Sequence, residues 1–478
     1  MDYCSILKNL TRKISVLIIF ISLPAISYAD EIVNTLEKKF DTALFSLSIS
    51  KVSGENLVSY NAQKLLIPAS SLKVVTTVYA IEKLGLDFRF KTEIKYSGKI
   101  TDGVLDGDLY IVGGGDMTLG SENFGSSIDK VFNNIYTVLK KNNINKINGN
   151  LYVDTSLAND FQEASWEWQD IGNYYAARVT GLSINDNSYK IYFKTGNRAG
   201  EKTEVVKTEP DVGYKITNHV ITGNDGSGDN SYIYSNPYMD EIIIRGSIGK
   251  TDNFFITKGS INDPPSFFAK SFFDYLKKAG TGIKGWYVID KKDSSKNLNF
   301  MDEIKSPPLY EIIRITNRKS FNFYAESLLR YARIKENITG LDANIFELSD
   351  FLKKVGVNDK RIVDGSGLSR GNLFSADGFV KVLNYAYKQP YFSYFYDSLG
   401  SWKNSDVKGH IKKFGSKNAL DIKIKSGSLN RVRSYVGYIN SKNSGLLSFC
   451  FIINNYTVLP QDIDEIFEEI LATVSEKY

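Results

Sequence analysis

Histidine is nearly absent from this chain of 478 residues: only His219 and His410 occur. They stand far apart in polar stretches that read as loops, so a serine–histidine–aspartate triad fits the inventory poorly. A zinc centre meets the same obstacle, because neither His-x-x-x-His spacing nor a cysteine pair is there to ligate it. Cysteine is equally scarce, with Cys4 and Cys450 alone. Cys4 falls in an N-terminal leader, which leaves Cys450 without an internal partner and the fold without a disulfide. Cys450 lies in the apolar stretch 446–454, where a buried, inert thiol is expected. Past the leader, no run approaches the roughly 18 apolar residues of a spanning helix. Charge of one sign is also missing. The 59 Lys and Arg against 54 Asp and Glu leave a formal +5, too little for the concentrated basic face that nucleic acid requires.

What is present is the composition of a folded protein, 42% hydrophobic and 24% charged, in a chain long enough for two or three domains. Lys8, Arg12 and Lys13 precede an apolar run from Ile14 to Ile26, and Ser27-Tyr28-Ala29 offers small residues for a signal peptidase. Residues 1–29 therefore read as a cleaved signal peptide, and the mature chain as exported and soluble, with no integral membrane span.

Periodicity divides the rest. Alternation over 44–60 predicts a hairpin, and apolar positions from Leu72 to Leu84 recur at helical spacing after Pro68-Ala69-Ser70-Ser71. Short strands and turn signals fill 88–154, with one helix over 128–141; 183–255 reads as a small β module. Gly113-Gly114-Gly115-Asp116 completes no phosphate-loop pattern and reads as a tight turn. Helices follow over 265–278, 309–317, 320–333, 345–355 and 376–388, then strands over 422–425, 434–439 and 447–454, and a helix over 461–476. The outline is a mixed α/β (α+β) body built from both ends of the chain around a mostly β insertion. Its expected divisions are 30–87 and 296–478 for the body, 88–182 and 256–295 for the inserted domain, and 183–255 for a nested β domain.

A serine nucleophile without histidine needs another base, and a lysine serves if burial or nearby positive charge keeps its amine neutral. Ser70-Ser71-Leu72-Lys73 puts a hydroxyl and an amine three residues apart on one helical turn, hence on one face. Ser-x-x-Lys alone carries little, since it recurs at Ser5, Ser48, Ser247 and Ser405. The Ser70 copy differs by its Pro-Ala lead-in and the apolar helix behind it. Ser320-Phe321-Asn322, between two helical runs, offers a hydroxyl to relay a proton and an amide to hold a carbonyl. Lys425-Ser426-Gly427-Ser428 follows a strand. There the lysine keeps the local potential positive, the hydroxyls can bind a carboxylate, and Gly427 lets a substrate backbone lie along the strand edge. Ser-x-Asn recurs at Ser121, Ser183 and Ser428, and Lys194-Thr195-Gly196 begins a polar loop that precedes Ser320.

In this order and setting, the three motifs are those of penicillin-binding proteins and serine β-lactamases. With Gly107 to Asp116, Trp166-Glu167-Trp168-Gln169-Asp170 and Asp364-Gly365-Ser366-Gly367-Leu368-Ser369-Arg370, the chain resembles the D-alanyl-D-alanine carboxypeptidase/endopeptidase family of the penicillin-binding protein 4 type. The match runs over nearly the whole mature sequence. The resemblance implies a serine β-lactamase/transpeptidase-like domain interrupted by two smaller domains. It makes Ser70 the acylated nucleophile, Lys73 its base, Ser320 and Asn322 the second motif and Lys425 the third-motif cation. Backbone N–H groups of Ser70 and Ser428 would form the oxyanion hole. The Ser426 and Ser428 hydroxyls would hold a terminal carboxylate, and Asp170 and Arg370 the peptide stem. Ser426 stands where threonine is common, and Gly409-His410 where the family often has Gly-Thr. The implied substrates are peptidoglycan stem peptides in the periplasm, with β-lactams as covalent inhibitors and no cofactor or metal. A serine β-lactamase or a non-catalytic peptidoglycan-binding scaffold are the other readings. The balance of exo- and endo-cleavage and formation of a homodimer stay open at this point.

Overall fold

The computed structural model describes residues 28–157, 163–237, 239–291 and 297–478. The expected signal peptide lies outside them except for Tyr28 and Ala29, which open a helix, Tyr28–Lys39. The described residues up to Asp41 form a unit of their own, and those from Thr42 onward form the second. No described helix is long and apolar enough to cross a membrane.

The body is organised by one antiparallel sheet. Its strands are β1 (Leu44–Lys51), β2 (Asn56–Tyr60), β3 (Ile422–Leu429), β4 (Val432–Ser441) and β5 (Gly445–Asn454), in the order β3-β4-β5-β1-β2. β5 reads as a nearly continuous apolar run because both faces of the sheet are covered. On one face Phe451 stacks on Phe467 (4.7 Å between centroids), and Phe467 in turn on Tyr435 (5.2 Å). Cys450 and Ile452, on the alternate face, join a core with Val75, Val78, Leu328 and Phe379. Burial raises the Cys450 thiol well above its ordinary pKa, as an inert thiol requires.

The helices of that second core are α1 (Lys73–Leu84), α2 (Leu309–Arg318), α3 (Asn322–Tyr331), α4 (Leu341–Lys354), α5 (Ala376–Tyr387) and α6 (Phe392–Ser398). The last helix, α7 (Pro460–Lys477), carries Phe467. α6 has no counterpart in the sequence reading; its seven residues are too few to show a periodic face.

The chain between α1 and α2 builds two further cores. A five-stranded sheet (order Trp286–Ile289, Leu151–Asp154, Leu109–Val112, Lys91–Tyr96, Asn299–Lys305) meets helices Ile128–Lys141 and Pro264–Lys278. Phe132, Ile135, Phe268 and Phe272 fill the space between. Two three-stranded sheets enclose Ile191, Phe193, Val220, Ile233 and Ile244. One strand, Phe255–Ser260, crosses a division expected from sequence and pairs with Ser188–Lys194; another, Asn299–Lys305, lies in the expected second part of the body and pairs with Lys91–Tyr96. Sheet partners so far apart in the chain leave no trace in sequence texture. His219 is likewise in a strand, Lys215–Thr222, rather than a loop. The glycine triplet is a close approach of backbones: a Cβ on Gly114 would sit 1.9 Å from the Lys91 carbonyl.

Candidate active site

The three motifs converge on one edge of the body sheet. Ser70 lies in a 3₁₀ turn, Ala69–Leu72, that runs straight into α1 at Lys73. Ala69 enters it at φ +48°, a left-handed conformation that costs a non-glycine residue about 1–2 kcal/mol. Ser320, in the link between α2 and α3, sits at φ +53°. Two of the hydroxyl-bearing turns thus hold backbone that only the surrounding fold can enforce.

Lys73 is fully buried and its amine has three partners: Ser70 Oγ at 2.8 Å, Asn322 Oδ1 at 2.6 Å and the Ser366 carbonyl at 2.7 Å. Burial lowers its pKa to about 7, against the opposing pull of Asp364 and Glu326. A neutral amine can donate to the amide and the carbonyl and keep its lone pair for the Ser70 hydroxyl. Lys425, expected to keep the local potential positive, is itself held well below its ordinary pKa by burial and by Lys73. Lys425 donates to Ser320 Oγ at 2.9 Å and to the Ser426 carbonyl at 2.5 Å.

The Asp-Gly-Ser-Gly segment is the floor beneath the lysine. Buried Asp364 accepts from the backbone N–H groups of Gly367 (2.8 Å) and Ser369 (2.6 Å), from Asn372 Nδ2 (2.8 Å) and from Trp166 Nε1 (2.9 Å). Glu326 Oε1 accepts from the N–H groups of Gly365 (3.0 Å) and Ser366 (2.7 Å) and so fixes the carbonyl that holds Lys73. Burial, reinforced by the Asp364 charge, raises the Glu326 pKa to about 7. Sequence reasoning missed Glu326, although its place four residues after Asn322 on α3 puts both on one helix face.

Ser70, Ser320, Asn322, Ser428, Asp170 and Tyr175 line a cleft of about 360 Å³. Lys73 and Lys425 lie beneath it, buried. At Gly427 a Cβ would stand 2.5 Å from the Pro68 carbonyl and 2.9 Å from Ser70 N, so the glycine lets β3 close against the turn that carries Ser70. The Ser428 hydroxyl accepts from Arg433 Nη1 at 3.0 Å across the β3–β4 pair. An oxygen that accepts there keeps its hydrogen to donate into the cleft, which suits a carboxylate. Ser426 is on the same strand but outside the cleft lining.

Asp170 accepts from Tyr175 Oη at 3.0 Å, and burial raises its pKa. Tyr175 also offers its backbone carbonyl to Asn322 Nδ2 at 2.8 Å, so the inserted region completes the second motif. Arg370 is outside the cleft lining. It ties Glu167 Oε1 (3.0 Å) to the Asn430 carbonyl (2.7 Å) at the rim. His410, in the turn Gly409–Lys412, packs edge-on to Tyr435. Burial and the charge of Arg433 lower its pKa to about 4, so it is neutral at ordinary pH. Lys194-Thr195-Gly196 begins a loop at the end of strand Ser188–Lys194, in the nested β region.

A sheet covered by helices on both faces, with these three motifs at one edge, defines the serine hydrolases of the transpeptidase and β-lactamase fold. The chain belongs to the D-Ala-D-Ala carboxypeptidase 3 (S13) family, whose model matches residues 31–474, and is a serine-type D-Ala-D-Ala carboxypeptidase. Among relatives, the D-alanyl-D-alanine carboxypeptidase of Actinomadura sp. (strain R39) is 26% identical over 429 residues, covering 86% of this chain and 77% of the relative. That of Haemophilus influenzae is 23% identical over 478 residues and covers 94% of each. The crystal structure of penicillin binding protein 4 from H. influenzae superposes with a TM-score of 0.79 at 21% identity, covering 93% of this chain and 99% of that one. A predatory peptidoglycan endopeptidase from Bdellovibrio bacteriovorus shares the fold at a TM-score of 0.51 and 15% identity, covering 91% and 93%.

Proposed function

We propose that this carboxypeptidase is a periplasmic enzyme of peptidoglycan stem peptides that also cleaves D-alanyl cross-links, through an acyl-enzyme on Ser70. The observation that carries the reading is the Lys73 amine, 2.8 Å from Ser70 Oγ with its pKa lowered to about 7. The neutral amine takes the Ser70 proton as Oγ attacks the penultimate D-alanine carbonyl. Backbone N–H groups of Ser70 and Ser428 hold the oxyanion. The proton passes through Ser320 to the leaving nitrogen, the C–N bond breaks, and water then releases the acyl group with Lys73 again accepting its proton. The terminal carboxylate lies at the Ser426 and Ser428 hydroxyls, and the stem runs past Asp170 towards Arg370. The endopeptidase among its structural neighbours and the β-lactam complex of the H. influenzae protein fit this reading.

Intact mass after penicillin treatment, followed by peptide mapping, tests it: a single adduct on Ser70 is expected, and undiminished labelling of Ser70→Ala sinks the assignment. Because the base must be unprotonated, the acylation rate should rise with pH and reach half its plateau near 7. A rate flat from pH 5 to 9 excludes Lys73 as the base. Release of D-alanine from a pentapeptide faster than turnover of penicillin separates the enzyme from a β-lactamase.

A further inference from the structure

The cleft has two ends, and β3 orders them. Lys425 and Ser428 are three residues apart on that strand, about 10 Å at ordinary strand rise. Asp170 belongs to the Ser428 side, since it feels the charge of Arg370, which donates to the Asn430 carbonyl two residues past Ser428. On the Lys425 side the cleft is bounded by Lys319, which adjoins Ser320, and by Lys408, which leads into the turn where His410 feels the Lys425 charge. In the acyl-enzyme reading this second end receives the departing half of the substrate. We propose that Lys319 and Lys408 form a cationic subsite for a leaving peptide with a free carboxylate beyond the one next to the scissile bond, as in the second stem of a cross-link. The subsite rests on the acyl-enzyme reading and deepens it on the leaving-group side.

The charges there are unbalanced. Lys319 gives one proton to Asn123 Oδ1 at 2.8 Å and keeps the rest of its donors. Lys408 has no hydrogen bond or ion pair among the described residues. Burial, Lys258 and Lys319, with Lys412 adding to them, lower its pKa; Asp186 alone opposes. That carboxylate is itself engaged by Tyr324 Oη (2.7 Å) and Asn123 Nδ2 (3.2 Å). Asp186 is thus the one carboxylate set against several ammonium groups, and the excess of positive charge raises the local potential for an anion that arrives. Removal of a lone D-alanine gives them nothing to do, because its single carboxylate is met by the hydroxyls of β3. A longer acidic leaving group would reach them.

The test uses two substrates with the same acyl part, whose leaving peptides differ only in a terminal carboxylate or carboxamide. The unmodified protein should prefer the carboxylate by about fivefold to tenfold in kcat/KM, mostly through KM, and the preference should shrink as salt rises. Lys408→Gln and Lys319→Gln should each lose most of that preference, and Lys408→Arg should keep it. A preference equal in all four proteins, or none in the unmodified protein while penicillin still labels Ser70, overturns the subsite alone. Failure of penicillin to label Ser70 brings down the acyl-enzyme reading, and the subsite with it.

Discussion

Two arginine–carboxylate pairs meet the β3–β4 hairpin and differ in nearly everything else. The side chains of Arg433 and Asp464 are 8% and 16% exposed, and the guanidinium spans both carboxylate oxygens at 2.8 and 2.5 Å. Arg370 and Glu167 are 38% and 47% exposed and share one contact at 3.0 Å. Arg433 passes a hydrogen bond on to the Ser428 hydroxyl, whereas Arg370 passes one to the Asn430 carbonyl. Freeing a buried pair leaves a charge in poorly solvating surroundings; an exposed pair trades partners with water or a ligand at little cost. Arg433 is thus a fixed part that aims Ser428, and Arg370 is a group able to exchange Glu167 for another partner. Two ion pairs alike in a sequence differ by burial in what they can do.

Three substitutions sharpen or break that contrast. Arg433→Gln strands Asp464 and should cost about 3–5 kcal/mol of stability, read by thermal or denaturant unfolding. A loss below about 1 kcal/mol would show that the pair is solvated after all. Ser428→Ala removes only the hydroxyl that Arg433 orients. It should leave stability nearly unchanged and raise KM for substrates with a free terminal carboxylate roughly tenfold, as for a hydrogen bond to a charged group. An equal rise with a carboxamide substrate would deny Ser428 that role. Arg370→Ala should change stability by less than about 1 kcal/mol and leave penicillin labelling intact. Its effect should be about a threefold rise in KM for long stem peptides, absent for a minimal D-alanyl-D-alanine substrate. A loss of stability comparable with Arg433→Gln would erase the distinction.

The parts of the site legible in the sequence are those set by local geometry. Ser70 and Lys73 share a helical turn, and Ser320 and Asn322 flank a helix start, so their types and spacing suffice. The groups that surround them come from distant segments. Glu326 approaches Lys73 through the packing of α3 on α1, Asp364 comes from the segment after α4, and the Tyr175 carbonyl arrives from the inserted region. No spacing announces such meetings. Arg433 is intermediate. Leu429 pairs with Val432 and Ser428 with Arg433, so a two-residue turn at Asn430-Arg431 fixes the register, and a hairpin drawn from the sequence would have placed the arginine beside the serine. For the fold, helices such as 128–141 were legible because their apolar face repeats over several turns. Sheet order was not, because Asn299–Lys305 joins a partner some two hundred positions earlier in the chain.

The Tyr175 carbonyl also bears on how the chain can be shortened. Asn322 serves two masters, the lysine amine through its oxygen and the inserted region through its nitrogen. A trimmed protein that kept every motif but lacked the insertion would leave the amide nitrogen without that partner, and the oxygen that meets Lys73 would lose a constraint on its direction. The excursion between the two halves of the body thereby reaches into the surroundings of the lysine.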